Sequence, residues 1–285
     1  MLRHWIGFFL IFATTILVPP AHAIKLAKPV SWGSPDQSYG KRRSVTNADR
    51  EEIRRYRSGT LAPVFQTDFT DPKELESDWR LMTDHSGKIC RTPDNVQVSK
   101  SGLTLKTMIA TNCPRNHWST GSIQSKSSYQ FGFFEAKMKI ADIKGMNNAF
   151  WMNTANQPAT RDYFEIDVCE CQYPSYDHIG LQQYPAKKDN VALSDVKHSG
   201  MGWGASVTDD LSAAFHDYGV LWKENEMIFA IDGEPIAAVV TNGAVIAPAD
   251  VMFSSALIYD GVPDNAEGHD MHVKSVRIYK LVGEH

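Results

Sequence analysis

The sequence predicts an all-β fold, a sandwich of antiparallel sheets, on three observations. From Val64 onward, short runs of apolar and polar side chains alternate with the period of a half-buried strand. Turn-forming residues separate these runs at short spacing, and no segment there carries a helical apolar stripe of convincing length. Many short strands over about 220 residues fit a sandwich and not a chain of alternating strands and helices.

Composition agrees with one sizeable globular domain plus appendages. The chain has 285 residues, of which 42% are hydrophobic and 22% charged, typical of neither a disordered nor a repeat protein. A formal net charge of −4 gives no ground for a nucleic-acid partner, and none is expected.

Residues 1–23 read as a signal peptide. Arg3 and His4 precede an apolar run from Trp5 to Val18, and Ala21-His22-Ala23 supplies small residues at −3 and −1 of a cleavage site. The run is too short to span a bilayer comfortably, and no cysteine lies near the site for lipid attachment. The mature chain is therefore expected to begin at Ile24 and to be soluble, monomeric, secreted or periplasmic, and free of stable membrane insertion. Residues 24–61 carry Pro, Gly, Ser and the basic run Lys41-Arg42-Arg43, and read as a polar linker or N-terminal arm with a short capped helix near Asn47 to Arg55.

Residues 62–285 hold the strands in sequence. Val64–Phe69, Asn95–Val98, Leu103–Met108 and Phe133–Ile140 alternate or nearly so. Gly219–Trp222, Met227–Ile231, Val251–Ile258 and His272–Leu281 follow. Of four cysteines, Cys90 and Cys113 sit in polar, loop-like segments flanking one strand and are the expected disulfide in a compartment that permits one. Cys169 and Cys171 are two apart on a strand, where bonding is awkward, and read as buried thiols or one bulge thiol. No cluster has zinc spacing, and no metal is assigned.

The stretch from Tyr163 to Gln172 carries the chemistry. Tyr163, Glu165 and Asp167 share one face while Phe164, Ile166 and Val168 share the other. A strict period of two would bury Glu170 unpaired among apolar side chains, so a β-bulge is expected near Val168 and Cys169 to return it to the acidic face. Glu165 and Glu170 then lie about four ladder steps apart, roughly 13 Å between Cα atoms. Inward leaning would bring their carboxyls toward the roughly 5 to 5.5 Å of a retaining pair, against roughly 6.5 to 9.5 Å for an inverting one.

Glu165-Ile166-Asp167-Val168-Cys169-Glu170 resembles the bulged Glu-x-Asp-x-x-Glu signature of glycoside hydrolase family 16, the retaining endo-β-glycanases and transglycosylases. The likeness continues through Tyr129 to Lys139, Ala149-Phe150-Trp151-Met152, Phe215-His216-Asp217-Tyr218 with Trp222, and Ile231-Asp232-Gly233. It implies a concanavalin-A-like β-jelly roll with a cleft on its concave sheet. It also implies that Glu165 is the nucleophile, Glu170 the general acid and then base, and Asp167 the residue that orients the nucleophile. One carboxylate must be ionised to attack while its charge helps keep the other protonated.

The implied substrate is a β-linked polysaccharide or oligosaccharide, cut internally. Sugar binding is expected of Tyr163, Trp151, Trp118 and Trp203, whose rings offer flat apolar faces, and of His198, which resembles a cleft histidine of several family branches. Trp203 lies in the glycine-rich run Ser199 to Gly204, read as a loop that exposes the ring. Where many members have Trp-Pro, this chain has Asn147-Asn148, and Asn148 is a candidate amide for the sugar. His216 reads as structural. No cofactor is expected beyond a structural calcium, to which Asp68 or Asp270 would contribute. Two other readings stay open: a transglycosylase using the same intermediate, and a non-catalytic carbohydrate-binding sandwich.

Overall fold

The computed structural model of the protein describes residues 24–85, 89–111, 113, 116–154, 163–188, 191–192, 195–257 and 263–283. The expected signal peptide lies outside these residues. Ser31–Trp32 (β1) and Lys41–Arg43 (β2) precede the helix Asn47–Arg57 (α1), and Phe65–Thr67 (β3), the helix Pro72–Asp78 (α2) and Trp79–Leu81 (β4) follow. Next come Val96–Ser99 (β5), Gly102–Leu105 (β6), Met108–Ile109 (β7), Trp118–Ser119 (β8), Ser122–Tyr129 (β9), Gly132–Lys139 (β10) and Met146–Asn153 (β11). The acidic strand is Tyr163–Gln172 (β12), followed by Tyr176–Tyr184 (β13), Lys187–Lys188 (β14), Val191–Ala192 (β15) and Ser199–Ser206 (β16). His216–Trp222 (β17), Glu226–Ile231 (β18), Glu234–Val240 (β19), Ala249–Leu257 (β20) and Met271–Tyr279 (β21) complete the described chain.

Two large antiparallel sheets form the expected sandwich. One has eight strands in the order β1-β16-β13-β12-β11-β20-β9-β4, and the other nine, β2-β19-β18-β17-β10-β21-β6-β5 with β3 beside β21. Alternation decides which side chains meet between them: Phe150, Ile166, Leu181 and Phe253 from the first sheet pack with Phe134, Met138, Val220 and Trp222 from the second, all essentially without exposure. The β18–β19 hairpin turns at Asp232 and Gly233, both at positive φ (50° and 82°), the two-residue geometry that an Asp-Gly pair supplies cheaply. His216 is structural, its Nδ1 lying 2.8 Å from Asp232 Oδ2 at that turn.

Residues 24–61 are integrated far more closely than a solvated linker. β1 pairs with β16 at one edge and β2 with β19 at the other, so the arm adds a strand to each sheet. Thr46 and Asp49 close a capping box, and α1 then lays Ile53 and Tyr56 on the outer face of the nine-stranded sheet against Phe133, Leu221 and Ile228. The basic residues are spent locally: Arg43 bridges Asp49 and Glu226, and Arg57 bridges Glu135 and Asp217. Among the described residues no helix is long and apolar enough to cross a membrane.

Candidate active site

The bulge expected in β12 is present. Across β11, Glu165 faces Asn153, Asp167 faces Trp151 and Glu170 faces Ala149, so three residue steps of β12 match two of its neighbour. Opposite β13, the register slips between Asp167 and Glu170. Val168 and Cys169 point into the core, 2% and 0% exposed, and Glu170 returns to the outer face. Glu165, Asp167 and Glu170 together line one cavity on the eight-stranded sheet, beside Arg91, Asn147 and Trp151.

Each carboxylate has its own support. Gln182 Nε2 donates to Glu165 Oε1 at 3.1 Å and to Asp167 Oδ2 at 3.3 Å, tying the first two together. Gly180 stands opposite Asp167, and a Cβ there would collide with the aspartate oxygen, so the small residue makes the buried carboxyl fit. Glu170 receives Asn147 Nδ2 at 2.6 Å on one oxygen and meets His178 Nδ1 at 2.8 Å on the other. Behind the bulge, the Glu170 backbone N–H donates to the buried Asp177 at 3.2 Å.

These supports separate the titrations. Burial, then the charges of Glu165 and Glu170, push Asp167 well above the ordinary aspartate range. Burial and the charge of Glu170 push Glu165 up to about 7. Burial works to raise Glu170 too, but its contacts with His178 and Asn147 outweigh it and hold that carboxyl below its usual value. In the unliganded protein Asp167 therefore keeps a proton, Glu165 carries a second below about pH 7, and Glu170 is the anionic member. This is the reverse of the arrangement that the sequence resemblance implies at the moment of attack.

The remaining expected residues divide. Trp151 lines the cavity and its indole N–H donates to Ser254 Oγ at 3.1 Å. Tyr163 stacks on Tyr184, with centroids 4.9 Å apart, and Tyr184 on His198 at 4.3 Å. His198 Nε2 also meets Gln182 Oε1 at 3.0 Å, so it is linked through Gln182 to the first two acids.

Trp203 is corrected: it is 0% exposed and packs edge-on against Phe229 in the core. The run Ser199 to Gly204 is strand, not loop: a Cβ would press on His178 at Gly202 and on Tyr176 at Gly204, so these glycines leave room for crossing rings on the outer face while Met201 and Trp203 point inward. Asn148 is also corrected. Its carbonyl accepts the buried Ala141 N–H, and the neighbouring Asn147 is the amide that enters the site. Trp118 packs beside Ala141, Ile143 and Met146 and does not line the acidic cavity.

Cys90 and Cys113 form the expected disulfide, with Cα atoms 6.1 Å apart. Cys169 and Cys171 are both buried free thiols. Asp68 pairs with Arg277 at 3.3 Å and Asp270 accepts the Thr107 N–H at 2.8 Å. Among the described residues neither aspartate belongs to a group of three His, Cys, Asp or Glu side chains that could share a metal ion.

Comparison with known proteins follows the same residues. The sequence model of the family described as "Glycosyl hydrolases family 16" matches residues 85–276. The Endo-1,3-1,4-beta-glycanase ExoK of Rhizobium meliloti is 29% identical over 150 residues, 52% of this chain and 51% of the relative. A probable xyloglucan endotransglucosylase/hydrolase, protein 27 of Arabidopsis thaliana, is 28% identical over 123 residues, 42% of this chain and 35% of the relative. The chain thus spans about a third to a half of the length of the curated relatives it matches. In fold it is similar to the crystal structure of LamAcat from Zobellia galactanivorans, with a TM-score of 0.62 and 18% identity over 78% of this chain and 99% of that one.

Proposed function

Because the chain belongs to family 16 of the glycosyl hydrolases, we propose that it is exported and cleaves internal linkages of a β-glucan with retention, through a covalent glycosyl-enzyme. The observation that carries this reading is the bulged strand, which sets Glu165 and Glu170 on one wall of a cavity with Asp167 between them. Support for the substrate comes from the rhizobial relative, an endo-1,3-1,4-beta-glycanase, and support for export from the signal-like residues 1–23.

In the first step Glu165 attacks the anomeric carbon, the glycosidic C–O bond breaks, and the leaving oxygen takes a proton from Glu170. In the second, Glu170 accepts a proton from the incoming water, whose oxygen displaces Glu165 from the sugar. Asp167 keeps its own proton, being fully buried, and donates to Glu165, which spreads the nucleophile's charge. The productive state needs one proton moved onto Glu170. Only the total proton count of the coupled pair is fixed by pH, so that tautomer is populated as a fraction of the singly protonated pair. Trp151 supplies an apolar face in the cavity for a flanking sugar, and the Tyr163 stack, two residues before Glu165 on the same strand, supplies another beyond it.

Glu165→Gln and Glu170→Gln are each expected to lower cleavage of mixed-linkage β-glucan by orders of magnitude without changing the circular dichroism spectrum. Wild-type turnover in both variants would overturn the reading. Products longer than the substrate, formed with a sugar acceptor, would assign the same intermediate to transglycosylation.

A further inference from the structure

Arg91 is the one cation lining the acidic cavity among the described residues. Its backbone is fixed on both sides. Arg91 and Asp84 exchange backbone hydrogen bonds of 2.7 and 3.2 Å, and Thr120 bonds to the carbonyl of Cys90 and the amide of Thr92 at 2.8 and 3.0 Å. The Cys90–Cys113 disulfide holds the adjoining residue. The backbone of Arg91 is thus held in place, and its side chain, 15% exposed, lines the cavity that the trio shares.

Its side chain is under-used for a group so far removed from water. The Nε hydrogen is buried with no hydrogen-bond partner among the described residues, and the ion pair with Asp84 is long, at 3.8 Å. Burial lowers its pKa, which Asp84 and then Glu165 only partly oppose. A guanidinium meant chiefly to neutralise Glu165 would be hydrogen-bonded to it; this one is not. A desolvated fork with spare donors suits an oxyanion, which it can grip with two charge-assisted bonds, better than a neutral hydroxyl, which returns less of the cost of burying the charge.

We propose that Arg91 forms an anion subsite beside Glu165, and that the preferred substrate is an acidic β-glycan bearing a carboxylate or sulfate on the sugar next to the cleaved bond. This rests on the reading of the cavity as a glycan-cleaving cleft. The net charge of −4 gives no general attraction for a polyanion, so selectivity for one depends on this local cation.

The test is binding, measured calorimetrically with the Glu165→Gln chain so that cleavage plays no part. The probes are a neutral mixed-linkage β-glucan oligosaccharide, the same oligosaccharide oxidised at its primary alcohols to carboxylates, and its 6-sulfated form. At least one acidic form should bind tenfold or more tightly than the neutral one, with an advantage that shrinks as salt is raised; the stronger of the two names the anion. Adding Arg91→Gln should abolish the advantage while changing neutral binding little, and Arg91→Lys should restore part of it. Equal affinity for all three probes, no binding of any, or an equal loss for neutral and acidic probes in Arg91→Gln would overturn the proposal. Tight, Arg91-dependent binding by a chain whose wild type cuts no glycan would refute the hydrolase reading and leave the subsite standing.

Discussion

His178 Nδ1 lies 2.8 Å from one oxygen of Glu170 while Asn147 Nδ2 donates to the other at 2.6 Å, so two strands flanking β12 hold a single carboxylate from both sides. These contacts keep Glu170 low and leave Glu165, at about 7, as the upper titration of the pair. A bell-shaped profile of kcat/KM follows, falling in acid as Glu170 sets the lower limb and in alkali as Glu165 sets the upper.

Asn147→Ala removes one of the two partners of Glu170. Burial of that carboxyl is then opposed by His178 alone, its pKa rises, and the acid limb moves to higher pH while the alkaline limb stays near about 7. Loss of a hydrogen bond to a charged group, about 1.5–3 kcal/mol, should also lower kcat/KM by roughly 10- to 100-fold. Rates on β-glucan across pH check both effects, and an acid limb that does not move would sever Asn147 from the titration of Glu170.

Much of this site was legible in the sequence because cost enforces it. Glu170, which strict alternation would put on the face of Phe164, Ile166 and Val168, implied a bulge, since a bare carboxylate among those side chains would be far more expensive than one unpaired residue. Trp203 was misread because glycine marks loops and also marks strands that another side chain crosses, and only tertiary placement puts His178 over Gly202. Asn147 and Asn148 are chemically alike and adjacent, so strand parity alone decides which enters the cavity. His178, Gln182 and Arg91 carry no local signal, because their roles arise from strands and loops that meet only after folding. Tyr56 was hidden in a charged helix, where its ring, 1% exposed, proves to be core.

Stability should depend on pH through Glu165. Its pKa is about 7 in the fold against 4.5 ordinarily, so folding favours the neutral form. The stabilisation from that proton is complete below pH 4.5 and is lost as pH rises through about 7, which amounts to about 3 kcal/mol for a buried group. Glu165→Gln has no proton to lose. The variant should therefore resemble wild type in stability at pH 4 and exceed it by up to about 3 kcal/mol at pH 8, though inactive. Urea midpoints at the two pH values decide it, and a stability difference that stays constant would be contrary to the buried-acid account.

Helix α1 should matter to folding and not to chemistry. Ile53 and Tyr56 cover Phe133, Leu221 and Ile228 on the outer face of the nine-stranded sheet, away from the acidic cavity. Ile53→Ala should cost about 2–5 kcal/mol and Tyr56→Ala about 3–5 kcal/mol, with kcat/KM per folded molecule unchanged. Thermal melts and titrated active-site concentrations separate the two. A selective fall in kcat/KM with an unaltered melting temperature would mean that the arm reaches the reaction.

The stereochemical outcome follows from the register of β12. Because the bulge folds the step from Asp167 to Glu170 into the span from Trp151 to Ala149, Glu165 and Glu170 are separated by the four steps from Asn153 to Ala149, roughly 13 Å between Cα atoms. Both side chains line the same cavity, and two glutamates leaning toward one sugar leave little room for a water between carboxylate and anomeric carbon. Asp167, bonded to Gln182, lies between them on the same face. Attack by Glu165 itself is then the short path, and two inversions return the original anomer. Proton NMR recorded before mutarotation should find the β-anomer as the first reducing end released from a β-glucan. Release of the α-anomer would require a water on the far side of the sugar, and would refute Glu165 as nucleophile.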